Sequence, residues 1–278
     1  MKNPKIMYIL ISIFCVFAII AGIYAQFIEN PQNVSVVNPN TENIIEEKSQ
    51  EEIKNEFNDI FTNTLNLNGF DTTGIQKINS EQDIVYSAYN IEEKKDTYEI
   101  TMNIPVINIK NELSNTLNQT TQANFINKAN EILKNTDSNK KTIYTVDYVA
   151  YVNNDILSLI IRSTLKEGTS AQRVIVQTYN YNLTTNNNAS LIDLINIKKL
   201  NKDEVNKKIM QVVTKANQED ETLQEMGYNQ IFIRDLASDI YTVDNAGEYF
   251  LGPNQELYII YAYGNNEFTS KMDIVLFE

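Results

Sequence analysis

The chain has 278 residues, 42% hydrophobic and 10% aromatic, enough to bury the core of one ordinary domain or two small ones, which excludes a disordered polypeptide. A formal charge of −13 disfavours nucleic acid as a partner, because a phosphate backbone must be neutralised by clustered Lys and Arg. Histidine is absent and the one cysteine, Cys15, lies in an apolar N-terminal stretch, which excludes Ser-His and Cys-His nucleophile pairs, a disulfide framework and His- or Cys-ligated zinc in the remainder.

Residues 1–5 form a short basic stub, and Ile6 to Ala25 follow without a charge. As a helix that stretch spans about 30 Å, the thickness of a bilayer core. Lys2 and Lys5 precede it and Glu29 follows, so the positive-inside rule predicts a cytoplasmic N-terminus and an extracytoplasmic remainder. Its length favours an uncleaved signal anchor over a signal peptide cleaved near Ala25, which would yield a secreted protein. Residues 26–48 hold Pro31, Pro39 and no sustained period, and read as a juxtamembrane linker.

A region of helix and strand at 49–94 leads into the main domain. Ser49 and Glu52 form a capping-box pattern ahead of Ile53, Phe57, Ile60, Phe61 and Leu65, predicting a helix over about 50–66. Strands are predicted at 84–91 and 97–104, with Pro105 ending the second. A helix is expected from Asn111 to Lys134, with opening turns weakened by "NQTTQ". "TIYTVDYVAYV" and "ILSLIIRSTL", separated by Asn153, Asn154 and Asp155, predict a hairpin, and the strand through Val174 to Tyr181 extends it into an antiparallel meander. Leu191 to Leu194 begins a short turn, and "NKDEVNKKIMQVVTKANQ" predicts a helix. A linker and partial helix then lead to strands "EYFLG", "ELYIIYAYG" and "KMDIVLF", with turns at Pro253–Asn254 and Gly264–Asn266. The sum is an α+β fold, an antiparallel meander sheet with packed helices.

The ordered series "YEITMNIPVI", "ANFINKANEIL", "VDYVAYVNNDILSLIIRSTLKEGTSAQRVIVQTYNYNLTTNNNASLIDLI", "NKDEVNKKIMQVV" and "EYFLGPNQELYIIYAYG", over residues 95–278, resembles the exported domain of RsiV-type anti-sigma factors and PdaC-type peptidoglycan deacetylases. The resemblance implies an α+β fold and an extracytoplasmic setting near peptidoglycan. Members commonly carry a Gly-Ala-His-like stretch after the second hairpin strand, where this chain has Ser170, Ala171 and Gln172. The anti-sigma members also carry a folded cytoplasmic segment, for which residues 1–5 are too short, so the resemblance implies the fold and setting but not sigma-factor control or lysozyme binding.

Asp235, Asp239, Asp244 and Glu248 are the most clustered acids and would serve a carboxylate-dependent wall hydrolase, but they read as solvated acids near turns. "NNDI" and "VDNAGE" offer oxygens to calcium without the alternation of an EF-hand loop. No catalytic residue, metal or cofactor is expected. The abundant asparagines reflect AT-rich codon usage and suit turns; the N-x-[ST] triplets at Asn33, Asn118, Asn182 and Asn188 carry no weight in so Asn-rich a chain. Tyrosines join apolar area to a polar tip, so Tyr179, Tyr181, Tyr261 and Tyr263, with Gln172, are the candidate ligand contacts. The expected role is a non-catalytic, membrane-anchored binding domain recognising a peptidoglycan fragment or an envelope or exported protein. A hydrolase and a structural subunit of an envelope complex are the alternatives.

Overall fold

The computed structural model describes residues 48–134, 140–229, 231–263 and 270–278. The expected anchor at 6–25, the linker through residue 47 and the Gly264–Asn266 turn lie outside them. No helix among the described residues is long and apolar enough to cross a membrane.

Helix α1 spans Gln50–Asp59 and begins with the expected capping box, Ser49 and Glu52 bonding reciprocally. It buries Ile53 and Phe57 but stops seven residues short of 66. Asn63 takes a left-handed φ of 57°, its N–H donates to the Tyr148 carbonyl and its side chain accepts from the Tyr148 N–H. That exchange turns the chain, so Leu65 and Asn66 form strand β1 alongside β4 (Thr142–Asn153) instead of a further helical turn.

Strands β2 (Val85–Lys94) and β3 (Tyr98–Ile107) pair antiparallel, and Ile100, Met102 and Ile104 of β3 are buried as their alternation predicts. Pro105 does not end the strand. It sits opposite Ser87 where the register slips past Ala88, and this bulge accommodates a residue with no N–H to give. Helix α2 (Glu112–Lys134) runs unbroken through "NQTTQ". Tertiary contacts offset the poor propensity there: the Asn118 amide bonds both the N–H and the carbonyl of Ile107, and Thr121 is buried with its hydroxyl donating to Tyr179.

Because α2 carries the chain back across the sheet, β3 and β4 are parallel, as are β1 and β4. The expected antiparallel meander holds only for β4, β5 (Ile156–Glu167) and β6 (Arg173–Asn182). Asn154 takes a φ of 56° in the two-residue turn between β4 and β5. With the short strand β7 (Asn187–Asn188), the sheet runs β2-β3-β4-β5-β6-β7, and β1 lies beside β4 beyond the end of the β3 pairing.

The last three strands form a separate sheet, a correction to the single meander. β8 (Glu248–Leu251), β9 (Leu257–Tyr263) and β10 (Lys271–Phe277) pair antiparallel in the order β10-β9-β8. Its inner face, with Phe250, Tyr258, Ile260, Ile274 and Leu276, packs on Val149, Tyr151, Ile160 and Val176 of the larger sheet, and α1 inserts Ile53 and Phe57 into the same core. The Phe250 and Tyr258 rings stack at 4.6 Å. Gly252, beside them, has no room for a side chain, since a Cβ would lie 2.7 Å from the Tyr258 ring. On its outer face, Leu257, Ile259, Tyr261, Tyr263 and Val275 meet α3 (Leu191–Ile197) and α4 (Lys202–Glu225) through Leu194, Val205, Ile209 and Val213. Helix α2 covers the far face of the larger sheet. The layers are therefore helix, large sheet, small sheet, helix. Residues 191–197 form a capped helix, with Ser190 and Asp193 reciprocally bonded, where the sequence suggests only a turn.

One ion network closes this stack. Arg234, with its side chain 2% exposed, gives a two-pronged bond to Asp273 at 2.6 and 2.8 Å and a third bond to Asp220 at 2.6 Å; Lys271 also pairs with Asp220. Burial alone would lower the guanidinium pKa, but the two carboxylates hold it above its ordinary value. Burial likewise pushes Asp220 up, yet Lys271 and Arg234 outweigh it and leave its carboxyl lowered. The network joins the segment after α4 to α4 itself and to β10. Replacing Arg234 with methionine leaves two carboxylates without their shared cation and should destabilise the fold by about 3–5 kcal/mol, read as a lowered urea midpoint. A midpoint within experimental error of the parent would show that the network is not structural.

Candidate functional site

The five residues singled out from the sequence are not brought together. Tyr179 and Tyr181 lie on the face of β6 turned toward α2, whereas Tyr261 and Tyr263 lie on the outer face of the small sheet toward α4, with both sheets between. Tyr181 is 1% exposed; its hydroxyl accepts from the Asn111 amide at 2.6 Å and donates to Asn186 at 3.0 Å. Tyr263 is buried and stacks on Phe232 at 4.5 Å, and Tyr261 is buried edge-on to Tyr241. Burial pushes the phenols of Tyr181, Tyr261 and Tyr263 above their ordinary range, so they stay protonated. Strand alternation put these three rings on faces that helices cover, which corrects their reading as surface contacts. Tyr179 is half-buried beside α2. Gln172 is exposed just before β6, and its carbonyl accepts from the Ser270 N–H.

Three of the four acids near the C-terminal strands have side-chain partners, while Asp239 bonds through its backbone carbonyl, which accepts from the Thr242 hydroxyl and the Asn245 amide. Asp244 pairs with Lys202 at 2.6 Å, and Asp235 accepts from the N–H of Ala237. Glu248 reaches across the junction of the sheets to accept from the Thr178 N–H at 2.5 Å and the Thr178 hydroxyl at 2.9 Å. No group of three or more Asp, Glu, His or Cys among the described residues is placed to hold a metal ion.

The asparagines are organised. At the end of the large sheet marked by the β4–β5 turn, they hold loops to one another. The Asn153 amide donates to the Gly252 carbonyl at 2.8 Å and accepts from Asn68, which ties the two sheets together. Asn182 accepts from the N–H groups of Thr184 and Thr185 and donates to Asp155, shaping the turn after β6. Asn186, at φ 58°, is held by Tyr181.

The turn these groups build is a ridge between two grooves. On one side a cavity of about 440 Å³ is lined by Gly74, Ile75, Gln76, Ile109, Lys110, Asn111, Leu183 and Asn186. On the other a groove of about 500 Å³ is lined by Ile156, Asn182, Thr185, Asn187, Asn188, Ala189, Asp193, Asn196 and Ile197. In the second, Ile156 and Ala189 are buried at the floor, while the exposed side chains of Thr185, Asn187, Asn188 and Asn196 make no hydrogen bond among the described residues. The Asp193 carboxylate is engaged by the Ser190 N–H and hydroxyl at 2.7 and 2.6 Å. The result is an amide-rimmed groove with an apolar floor and no basic side chain. The abundance of asparagine masked this signal, since nothing in the sequence separates an asparagine that closes a turn from one that faces outward.

No family model matches the chain, and no curated protein matches its sequence. Structural neighbours are DUF3298 family proteins. One from Pseudomonas aeruginosa PAO1 is 11% identical over 66% of this chain and 83% of its own, with a TM-score of 0.36. Another, from Bacteroides fragilis NCTC 9343, is 13% identical over 68% of this chain and 88% of its own, with a TM-score of 0.40. At these values the likeness is loose, and no residue role is carried over from it.

Glu248 makes a pH-dependent contribution. Burial pushes its carboxyl up from 4.5 to about 6, against the pull of the two Thr178 bonds. Between those values the folded state binds more protons than the unfolded one, so this group makes stability fall as pH rises through the window. Glu248→Gln, which keeps an acceptor for Thr178, should remove that fall: urea midpoints of the parent should decline relative to the variant from pH 4.5 to 6. Parallel midpoint curves would refute the assignment.

Proposed function

We propose that the chain is a non-catalytic, membrane-anchored extracytoplasmic domain that binds a cell-wall component at its asparagine-rich end. The observation that supports this reading is the groove rimmed by Thr185, Asn187, Asn188 and Asn196, a set of hydrogen-bonding groups that the fold itself does not use. Binding sites combine an apolar wall with a few polar groups that fix orientation, and this groove has both. The apolar stretch at 6–25 and the resemblance of residues 95–278 to the exported RsiV- and PdaC-type domain favour an envelope setting. A hydrolase reading needs two carboxylates facing one cleft, and three of the four acids considered for it, Asp244, Asp235 and Glu248, are bonded instead to Lys202, Ala237 and Thr178.

The test is co-sedimentation of the purified, detergent-solubilised full chain with peptidoglycan sacculi, with the supernatant assayed for released fragments. Saturable retention without product release is expected. Product release that disappears in Glu248→Gln would replace this reading with a hydrolase, and absence of saturable retention would overturn wall binding.

A further inference from the structure

We infer that the groove between the Asn-rich turn and α3 takes an uncharged, N-acetylated sugar residue of a glycan chain. The inference rests on the wall-binding reading and specifies its ligand.

Charge narrows the ligand first. The groove has no Lys or Arg to neutralise a phosphate or carboxylate, and the chain carries −13 overall, so an anion gains nothing there. A cation would find a single carboxylate, Asp193, whose Oδ2 already accepts two bonds from Ser190, and no second acid lines the groove to complete a site. What remains is neutral hydrogen bonding. Each free asparagine offers two donors and one carbonyl acceptor, the complement of an acetamido group with its one donor and one acceptor, and of sugar hydroxyls that both give and accept. The floor of Ile156, Ala189 and Ile197 suits the acetamido methyl, which water solvates poorly.

The rim is also held in place before any ligand arrives. Asn187 and Asn188 form β7, paired to Asn182 and Tyr181, and the Ala189 N–H donates to the Asn180 carbonyl at 2.8 Å. Asn196 stands on α3, whose start is fixed by its capping box. Amides on a fixed backbone lose less conformational freedom on binding than amides on a free loop. The volume of about 500 Å³ lies within the range of small-molecule sites, about 300–1,000 Å³.

The full chain should be titrated calorimetrically with a soluble oligomer of N-acetylglucosamine, and with the glucose oligomer of the same length and linkage. Saturable binding of the first is expected, with the second at least about tenfold weaker, a loss on the scale of one or two hydrogen bonds. The double variant Asn188→Leu, Asn196→Leu should weaken the first by at least about tenfold, again one or two hydrogen bonds. Gln76→Leu in the other groove should leave it unchanged, and unaltered melting curves should confirm that both variants are folded. Equal binding of the two oligomers would overturn the acetamido assignment, and binding indifferent to the double variant would overturn this groove as the site. No binding of either oligomer, with sacculus retention intact, would overturn the sugar class but not wall binding. Loss of sacculus retention in the parent chain would overturn both.

Discussion

The β4–β5 hairpin must be dry on both faces, and the rest of the structure follows from that requirement. From Tyr148 to Asn153 and from Ile156 to Ile161 every residue on both strands is buried except the two that turn the hairpin. One face, with Tyr148, Ala150, Val152, Leu157 and Leu159, is covered by α2. The other, with Val149, Tyr151 and Ile160, needs a second cover, which the small sheet and α1 supply together. A sheet used as a cover has an outer face of its own, and α3 and α4 enclose that one. Four layers result because each apolar face recruits another element.

Polar groups at the junctions decide how these layers meet. Where the edge of β6 approaches the small sheet, no strand among the described residues pairs with Val174 to Thr178 on that side; Ser270 and Glu248 accept from the N–H groups of Val174 and Thr178 instead. Ser158 and Asn180 bond to each other between the sheets, and they reach the backbone of Leu251 and Tyr249. Such groups cost desolvation energy when mispaired, so they favour one relative placement of the sheets over others that would bury the same apolar area. The Arg234 network has the same role on the outer side, where its two carboxylates and two cations balance in charge.

Asparagine has two distinct roles at one end of the molecule. Asn68, Asn111, Asn153, Asn182 and Asn186 use their amides to close turns and bridge loops. Asn187, Asn188 and Asn196 leave theirs to solvent around an apolar floor. The first group makes the second a fixed array. Sheet ends are natural places for such an array, since strands terminate there and the connecting turns stand on a rigid base.

Much of the local structure was legible in the sequence, including the capping box at Ser49, the alternation of β3, the Asn154 hairpin, the inward face of α4 and the three C-terminal strands. These features depend on residues close in the chain, whose periodicity and side-chain-to-backbone bonds act wherever the segment lies. The extent of α1, the passage of β3 through Pro105 and the unbroken α2 were not legible, because contacts from Tyr148, Ser87 and Ile107 overrode local preference. Tertiary structure alone assigned the strands to two sheets, made β3 and β4 parallel and buried Tyr181, Tyr261 and Tyr263. The sequence by itself determined which elements form and which sides of them are apolar. Only packing decided which apolar sides meet, and therefore which polar groups were left facing water, since that choice depends on partners distant in the chain.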